Sequence, residues 1–186
     1  MKKTLLALVL IAPASSVLAA NGGTVSINGL VQAQTCVVTT SNGNTADINV
    51  QLPTVKPTDI TAAVSTTAVG AGQAPFELHV SDCPTALTAA KLSFTSPSYA
   101  DVTNGTLKNN TSVAGYAQGV NVAIHDNTSG TINQAMVGRA NSAIQATLVN
   151  NATDFKFIAS YVKANATATV GEGPVTSSAI FDITYQ

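Results

Sequence analysis

The chain has 186 residues, of which only 9% are charged and none is tryptophan. Its formal net charge is −1, and without Lys2 and Lys3 six basic residues stand against nine acidic ones. This mildly acidic balance lacks the basic footprint of a protein that binds nucleic acid or an anionic membrane, so we expect neither partner.

The first 19 residues have the organisation of a secretory leader. Lys2 and Lys3 form a basic start, "TLLALVLIA" is a short apolar core, and "VLA" supplies small residues before a cleavage site after Ala19. The apolar core is too short to span a bilayer. We therefore predict a signal peptide at 1–19 and an exported protein, whose remaining length fits one domain.

The segment after the leader, "TVSINGLVQAQTC", has the alternation of a strand that buries one face. Val25, Ile27 and Val31 share the apolar face, and Gly29 interrupts it. Because chain starts are usually polar and frayed unless something holds them, the pattern raises the question of which core this strand fills.

The residues with reactive side chains are few and dispersed. Cys36 and Cys83 are the two cysteines, and in an oxidising compartment we expect them to form a disulfide. His79 and His125 have no metal-ligand pattern near them and are interpreted as structural. Catalysis needs a convergent nucleophile, base and acid, so we predict no enzyme, no cofactor, no metal and no small-molecule substrate.

Short β-rich runs alternate with turn-rich polar stretches throughout the chain, which is typical of an antiparallel β-sandwich. A long irregular crossing is predicted at 53–75, and "LTAAKL" at 87–92 could form a helical turn. The predicted strands are 24–33, 36–40, 46–52, 75–82, 91–96, 119–126, 143–149, 154–163 and 175–185.

The last strand, "SSAIFDITYQ", has a second one-sided apolar row formed by Ala179, Phe181, Ile183 and Tyr185. Ile180 breaks the alternation, and we expect a packed opposite face to accommodate it. From the pattern alone, the first and last strands could pair within one molecule.

Together these features resemble the subunits of chaperone-usher pili, of the kind that form type 1 and P pilus rods. The resemblance covers the whole mature chain. It rests on "TVSINGLVQAQTC" with Asn28-Gly29 before a hydrophobic pair, on two cysteines 47 positions apart, on "GVNVAIHDNTSG", on the penultimate Tyr185, and on Gly173, fourteenth from the C-terminal end.

The resemblance implies an immunoglobulin-like sandwich that lacks its last strand, with a pilin domain at 34–186 and a donor-strand extension at 20–33. Val25, Ile27, Gly29 and Val31 would enter the groove of a neighbouring subunit, and Gly29 would meet a shallow point there. The groove edge, first bound by a periplasmic chaperone, would comprise Gly173, Ala179, Phe181, Ile183 and Tyr185.

The implied function is a structural subunit that polymerises by donor-strand exchange into the fimbrial shaft used in adhesion. It would pass through the periplasm and an outer-membrane usher to the cell surface, with identical or homologous subunits as partners. A minor tip adaptor or terminator is one alternative. A secreted carbohydrate-binding β-sandwich is another, although the absence of tryptophan and the presence of only four tyrosines disfavour an aromatic sugar platform. The segment "ANGG" before Thr24 lacks the bulky residue that many family members have there, so no residue is assigned to start strand exchange.

Overall fold

The computed structural model describes residues 35–40, 46–63 and 67–186. The predicted signal peptide and the predicted strand at 24–33, with Val25, Ile27, Gly29 and Val31, lie outside these residues. Within the described part of the chain, no helix is long and apolar enough to cross a membrane.

The described residues form two antiparallel sheets. Sheet A has the strand order β1-β2-β9-β6-β5-β4, with β7 also pairing with β6, and sheet B has the order β10-β3-β8. Sheet A contains β1 (Val37–Thr40), β2 (Ala71–Ser81), β4 (Ala100–Asp101), β5 (Thr106–Lys108), β6 (Val120–Asp126), β7 (Asn133–Gln134) and β9 (Thr153–Lys163). Sheet B contains β3 (Ala89–Thr95), β8 (Ile144–Thr147) and β10 (Ile180–Tyr185).

The two sheets enclose a core built from the inward residues of each strand. In β2 and β9, fully buried Leu78 and Phe155 alternate with exposed Glu77 and Lys156, the period-2 pattern of a strand with one buried face. The core joins the sheets through an edge-on contact between the rings of Phe94 and Phe157, whose centroids lie 5.0 Å apart. These contacts make the described domain a β-sandwich, as predicted.

The predicted disulfide joins Cys36, just before β1, to Cys83, two residues after β2. Their Cα atoms lie 4.2 Å apart, and both residues are buried. The bond therefore fixes the start of β1 against the end of β2, whose residues pair from Val37 opposite Ser81.

Several predicted boundaries are wrong. Strand β2 begins at Ala71, so the last residues of the predicted crossing belong to a paired strand. Just before this strand, Gly70 lies so close to β9 that a Cβ would collide with the Tyr161 carbonyl. The possible helical turn at 87–92 is mostly β3, and β10 begins at Ile180 rather than at 175. A short 3-10 helix, Pro57–Asp59, lies within the crossing, and the strands β4, β5 and β7 were not predicted.

The predicted strand at 46–52 does not pair with another described strand. Its alternation is nevertheless visible, because Ile48, Val50 and Leu52 are half-buried while Asn49 and Gln51 are exposed. The segment therefore buries one face, as the pattern predicts, but it forms no strand pairing within the described domain.

Candidate functional site

Strand β10 has one paired edge and one open edge. It pairs with β3 from Ile180 opposite Thr95 to Tyr185 opposite Ala90. On its other side, no strand among residues 35–40, 46–63 and 67–186 pairs with it. An unpaired edge of this length is a template for an additional strand.

The ladder between β10 and β3 determines which backbone groups face the open edge. Gln186 and Ala89 exchange reciprocal bonds, with N–H to C=O distances of 2.9 and 3.0 Å. Because bonded and non-bonded pairs alternate in an antiparallel ladder, Phe181, Ile183 and Tyr185 direct their N–H and C=O groups away from β3. These three residues therefore present the free donors and acceptors.

The same residues carry the apolar side chains of β10. Ala179, Phe181, Ile183 and Tyr185 are half-buried and pack against the main core cluster. Burial raises the pKa of the Tyr185 phenol above its ordinary value. A strand that binds at this edge could therefore form backbone hydrogen bonds and also cover the exposed part of the core.

The opposite side of β10 is open to solvent. Ile180 is 55% exposed there, and Asp182 and Thr184 are exposed beside it. The expectation that a packed opposite face accommodates Ile180 is therefore wrong.

A second half-buried row packs against the same core. Ile48, Val50 and Leu52 contact the main core cluster from the segment that follows β1. A cavity of about 170 Å³ lies between residues 47–51 and residues 74–77 of β2. This row is a second apolar border of the incompletely covered core.

An aromatic chain backs the open edge. Phe181 lies directly opposite Phe94 in the ladder, Phe94 contacts Phe157, and the ring of Phe157 lies 5.2 Å from that of Phe76. Phe76 lines the cavity beside residues 47–51. Phe181, which packs against the same core cluster, therefore lies at the open-edge end of this aromatic chain.

Comparison with known proteins identifies the family. The sequence model of the fimbrial protein family matches residues 23–186. The major fimbrial subunit SMF-1 of Stenotrophomonas maltophilia (strain K279a) is 32% identical over 178 residues, which are 92% of this chain and 98% of that protein. The chain belongs to the fimbrial protein family.

Solved structures show which fold this fimbrial subunit has. A chain from a chaperone-usher pilus is 19% identical with a TM-score of 0.56, over 92% of this chain and all of that one. The P pilus rod subunit PapA is 18% identical with a TM-score of 0.50, over 89% of this chain and all of PapA. The fold is an immunoglobulin-like sandwich lacking a strand, as expected. As a fimbrial subunit, the protein has a structural role in a surface pilus.

Gly173 of the fimbrial subunit lies before β10, in contact with another loop. Its φ is 141°, and a Cβ there would collide with the Gly115 carbonyl. The structure therefore gives Gly173 a packing role, whereas its predicted role at the groove edge stays a prediction, as do the predicted roles of the four residues of the apolar row.

Asn109, which the sequence analysis missed, holds the segment that leads into β10. Its buried Nδ2 donates to the carbonyls of Ala117 at 2.8 Å and Pro174 at 3.1 Å, and its Oδ1 accepts the Thr176 N–H at 2.8 Å. In sequence it is one of two adjacent asparagines in a polar stretch, which carries no signal of burial.

The two histidines differ in their surroundings. His79 is exposed on β2 and pairs with Asp154 of β9, and His125 is fully buried on β6. In the described ranges, no three His, Cys, Asp or Glu residues are grouped so that they could hold a metal ion.

Proposed function

We propose that this fimbrial subunit is the repeated shaft subunit of a chaperone-usher pilus and polymerises by donor-strand exchange. Residues 20–33 of one copy occupy the open edge of β10 in another copy, and a strand of a periplasmic chaperone occupies that edge before assembly at the usher. The observation that carries the proposal is that Phe181, Ile183 and Tyr185 supply both the free backbone groups and the half-buried apolar side chains.

The energetics favour such an exchange. Three residues with two backbone groups each can form about six bonds with a new strand, and these contribute roughly 3–9 kcal/mol at about 0.5–1.5 kcal/mol each. Burial of Val25, Ile27 and Val31 contributes about 1.5–3 kcal/mol per side chain. Together these gains amount to about 8–18 kcal/mol, against an association cost of about 4–15 kcal/mol.

Matching the two alternating rows gives a register. If the donor runs antiparallel to β10 with Val25 opposite Tyr185, then Ile27 is opposite Ile183, Gly29 opposite Phe181, and Val31 opposite Ala179. Gly29 then faces the side chain of Phe181, which lies opposite Phe94 in the ladder, and Phe94 contacts Phe157. This register gives a physical reason for a glycine in the middle of an otherwise apolar row.

The register can be tested by compensation. Gly29→Leu should block filament formation because its side chain meets Phe181, and adding Phe181→Ala should restore filaments. Phe181→Ala alone is the control for any loss of subunit stability. Failure of the pair to restore assembly, with a folded subunit, would contradict this register.

The shaft role is supported by the names of two relatives, a major fimbrial subunit and a rod subunit. Negative-stain microscopy of cells with and without the gene tests it. Loss of the filaments is expected for a shaft subunit, whereas filaments that persist in shortened or altered form would indicate a tip adaptor or terminator.

A further inference from the structure

The strand register defines two ends of the described domain. At one end, which we call the disulfide pole, Cys36 bonds to Cys83, and the Cys83 N–H donates to the Asn151 carbonyl at 3.1 Å. At the other end, the far pole, Lys163 at the end of β9 lies opposite Val120 at the start of β6. Strand β10 runs from the far pole toward the disulfide pole, since it is antiparallel to β3, which begins at Ala89 shortly after Cys83.

If the proposed donor-strand exchange operates, chain length constrains how successive copies meet. A donor antiparallel to β10 leaves the acceptor at the far pole. Only about three residues separate the end of the donor segment at 33 from Cys36, and three extended residues span at most roughly 10 Å. The disulfide pole of the donor copy must therefore lie beside the far pole of the acceptor.

The disulfide pole presents apolar and acidic groups to this contact. Val149 is 66% exposed and forms a bridge with Ala152 across the turn residues Asn150 and Asn151, whose φ angles are 53° and 64°. These angles are typical of a tight two-residue hairpin turn. Asp82 directly precedes Cys83, whose N–H bonds to the turn residue Asn151. Asp82 is exposed and forms no ion pair within the described ranges.

The far pole presents a complementary surface. A cavity of about 410 Å³ is lined by Ile60 and Val170, by threonines and by Lys163. Ile60 is 5% exposed and belongs to a small apolar cluster at this end. The Lys163 ammonium has no acidic partner among the residues that the structure describes.

We propose that successive copies make a second contact, outside the groove, in which the Val149–Ala152 turn of the donor copy docks on the far-pole cavity of the acceptor. Val149 covers the half-buried Val170 in the lining of the cavity, and Asp82 pairs with Lys163. Because exposed ion pairs contribute little free energy, the contact orients successive copies and adds little to their affinity. The partner is a second copy of this chain.

Charge exchange tests the contact. Asp82→Lys and Lys163→Asp should each slow filament assembly about two- to fivefold, the effect of losing up to about 1 kcal/mol from an exposed pair. The double variant should recover most of the rate. Val149→Asp should also slow assembly, and Val102→Asp is the matched control, because Val102 is 56% exposed beyond β4 at the edge of sheet A.

Binding of a synthetic 24–33 peptide to the subunit lacking residues 20–33 is measured in parallel. Normal peptide binding with slowed assembly and recovery in the double variant supports the contact. Two results with normal peptide binding overturn the contact alone. In the first, the charge reversals and Val149→Asp leave the assembly rate unchanged. In the second, the double variant does not recover the assembly rate. Absence of peptide binding to the unsubstituted subunit overturns both this contact and the donor-strand proposal.

Discussion

Truncating Ile183 should weaken both the binding of the donor strand and the folding stability of the subunit. Ile183 lies opposite fully buried Leu92 in the ladder, yet it is itself only half-buried. A docked donor strand would cover the remaining part. The free energy of burying this side chain is thus divided between folding and donor binding.

The expected magnitude follows from this division. Ile183→Ala removes three carbon atoms, worth about 2.4 kcal/mol at about 0.8 kcal/mol each when they are fully buried. If roughly half belongs to donor binding, the affinity for the donor falls by about 1 kcal/mol, or about fivefold. The other half should appear as a lower free energy of unfolding.

The assay is calorimetric titration of the 24–33 peptide into subunits lacking residues 20–33. Thr184→Ala is the matched control, because Thr184 is the next residue of β10 and is exposed on its outer face. We expect the control to bind like the unsubstituted subunit. Equal affinities for the Ile183→Ala and Thr184→Ala subunits would refute the reasoning that Ile183 lines the donor groove.

Three further predictions concern stability. Replacing both cysteines with alanine should lower the free energy of unfolding by about 4 kcal/mol, the loop-entropy value for a closure of 47 residues; denaturant titration measures this, and an unchanged midpoint would contradict it. Asn109→Ala should cost about 1–3 kcal/mol because the carbonyl of Ala117 and the N–H of Thr176 lose their bonds to its side chain. Hydrogen exchange should increase at 174–178 but not in the Asn110→Ala control, whose side chain accepts a local bond from the Ser112 N–H. Gly173→Ala should lower the melting temperature more than Gly130→Ala, because both have positive φ but only Gly173 lacks space for a Cβ; equal melting temperatures would show that this close packing is unimportant.

The strands that were predicted well are the long β-rich runs. β2 and β9, which alternate, and β6, whose first six residues are all buried, were located within a few residues, apart from the start of β2. By contrast, β4 and β7 contain two residues each, which is too short for any period to be detected. The alternation at 46–52 was real, but alternation reports burial on one face and cannot show whether a neighbouring strand is present.

The features of the candidate site also differ in whether the sequence could predict them. The apolar row of β10 could be recognised because side-chain direction in a strand follows position. Which backbone groups face the open edge could not, because that depends on the pairing with β3. Asn109 also escaped prediction, since two of its three partners lie 65 and 67 positions away.

The central claim is that the open edge of β10 accepts the 24–33 segment of another copy. Its most direct test is thermal melting of the subunit lacking residues 20–33, with and without the 24–33 peptide, beside the full-length subunit freed from any chaperone. At a peptide concentration 100 times its dissociation constant, binding adds about 2.7 kcal/mol, which should raise the melting temperature of the shortened subunit by roughly 5–10 °C. A full-length subunit that melts as a stable monomer, together with a shortened subunit that is unfolded and unresponsive to peptide, would contradict the claim, because residues 24–33 would then belong to the subunit's own fold.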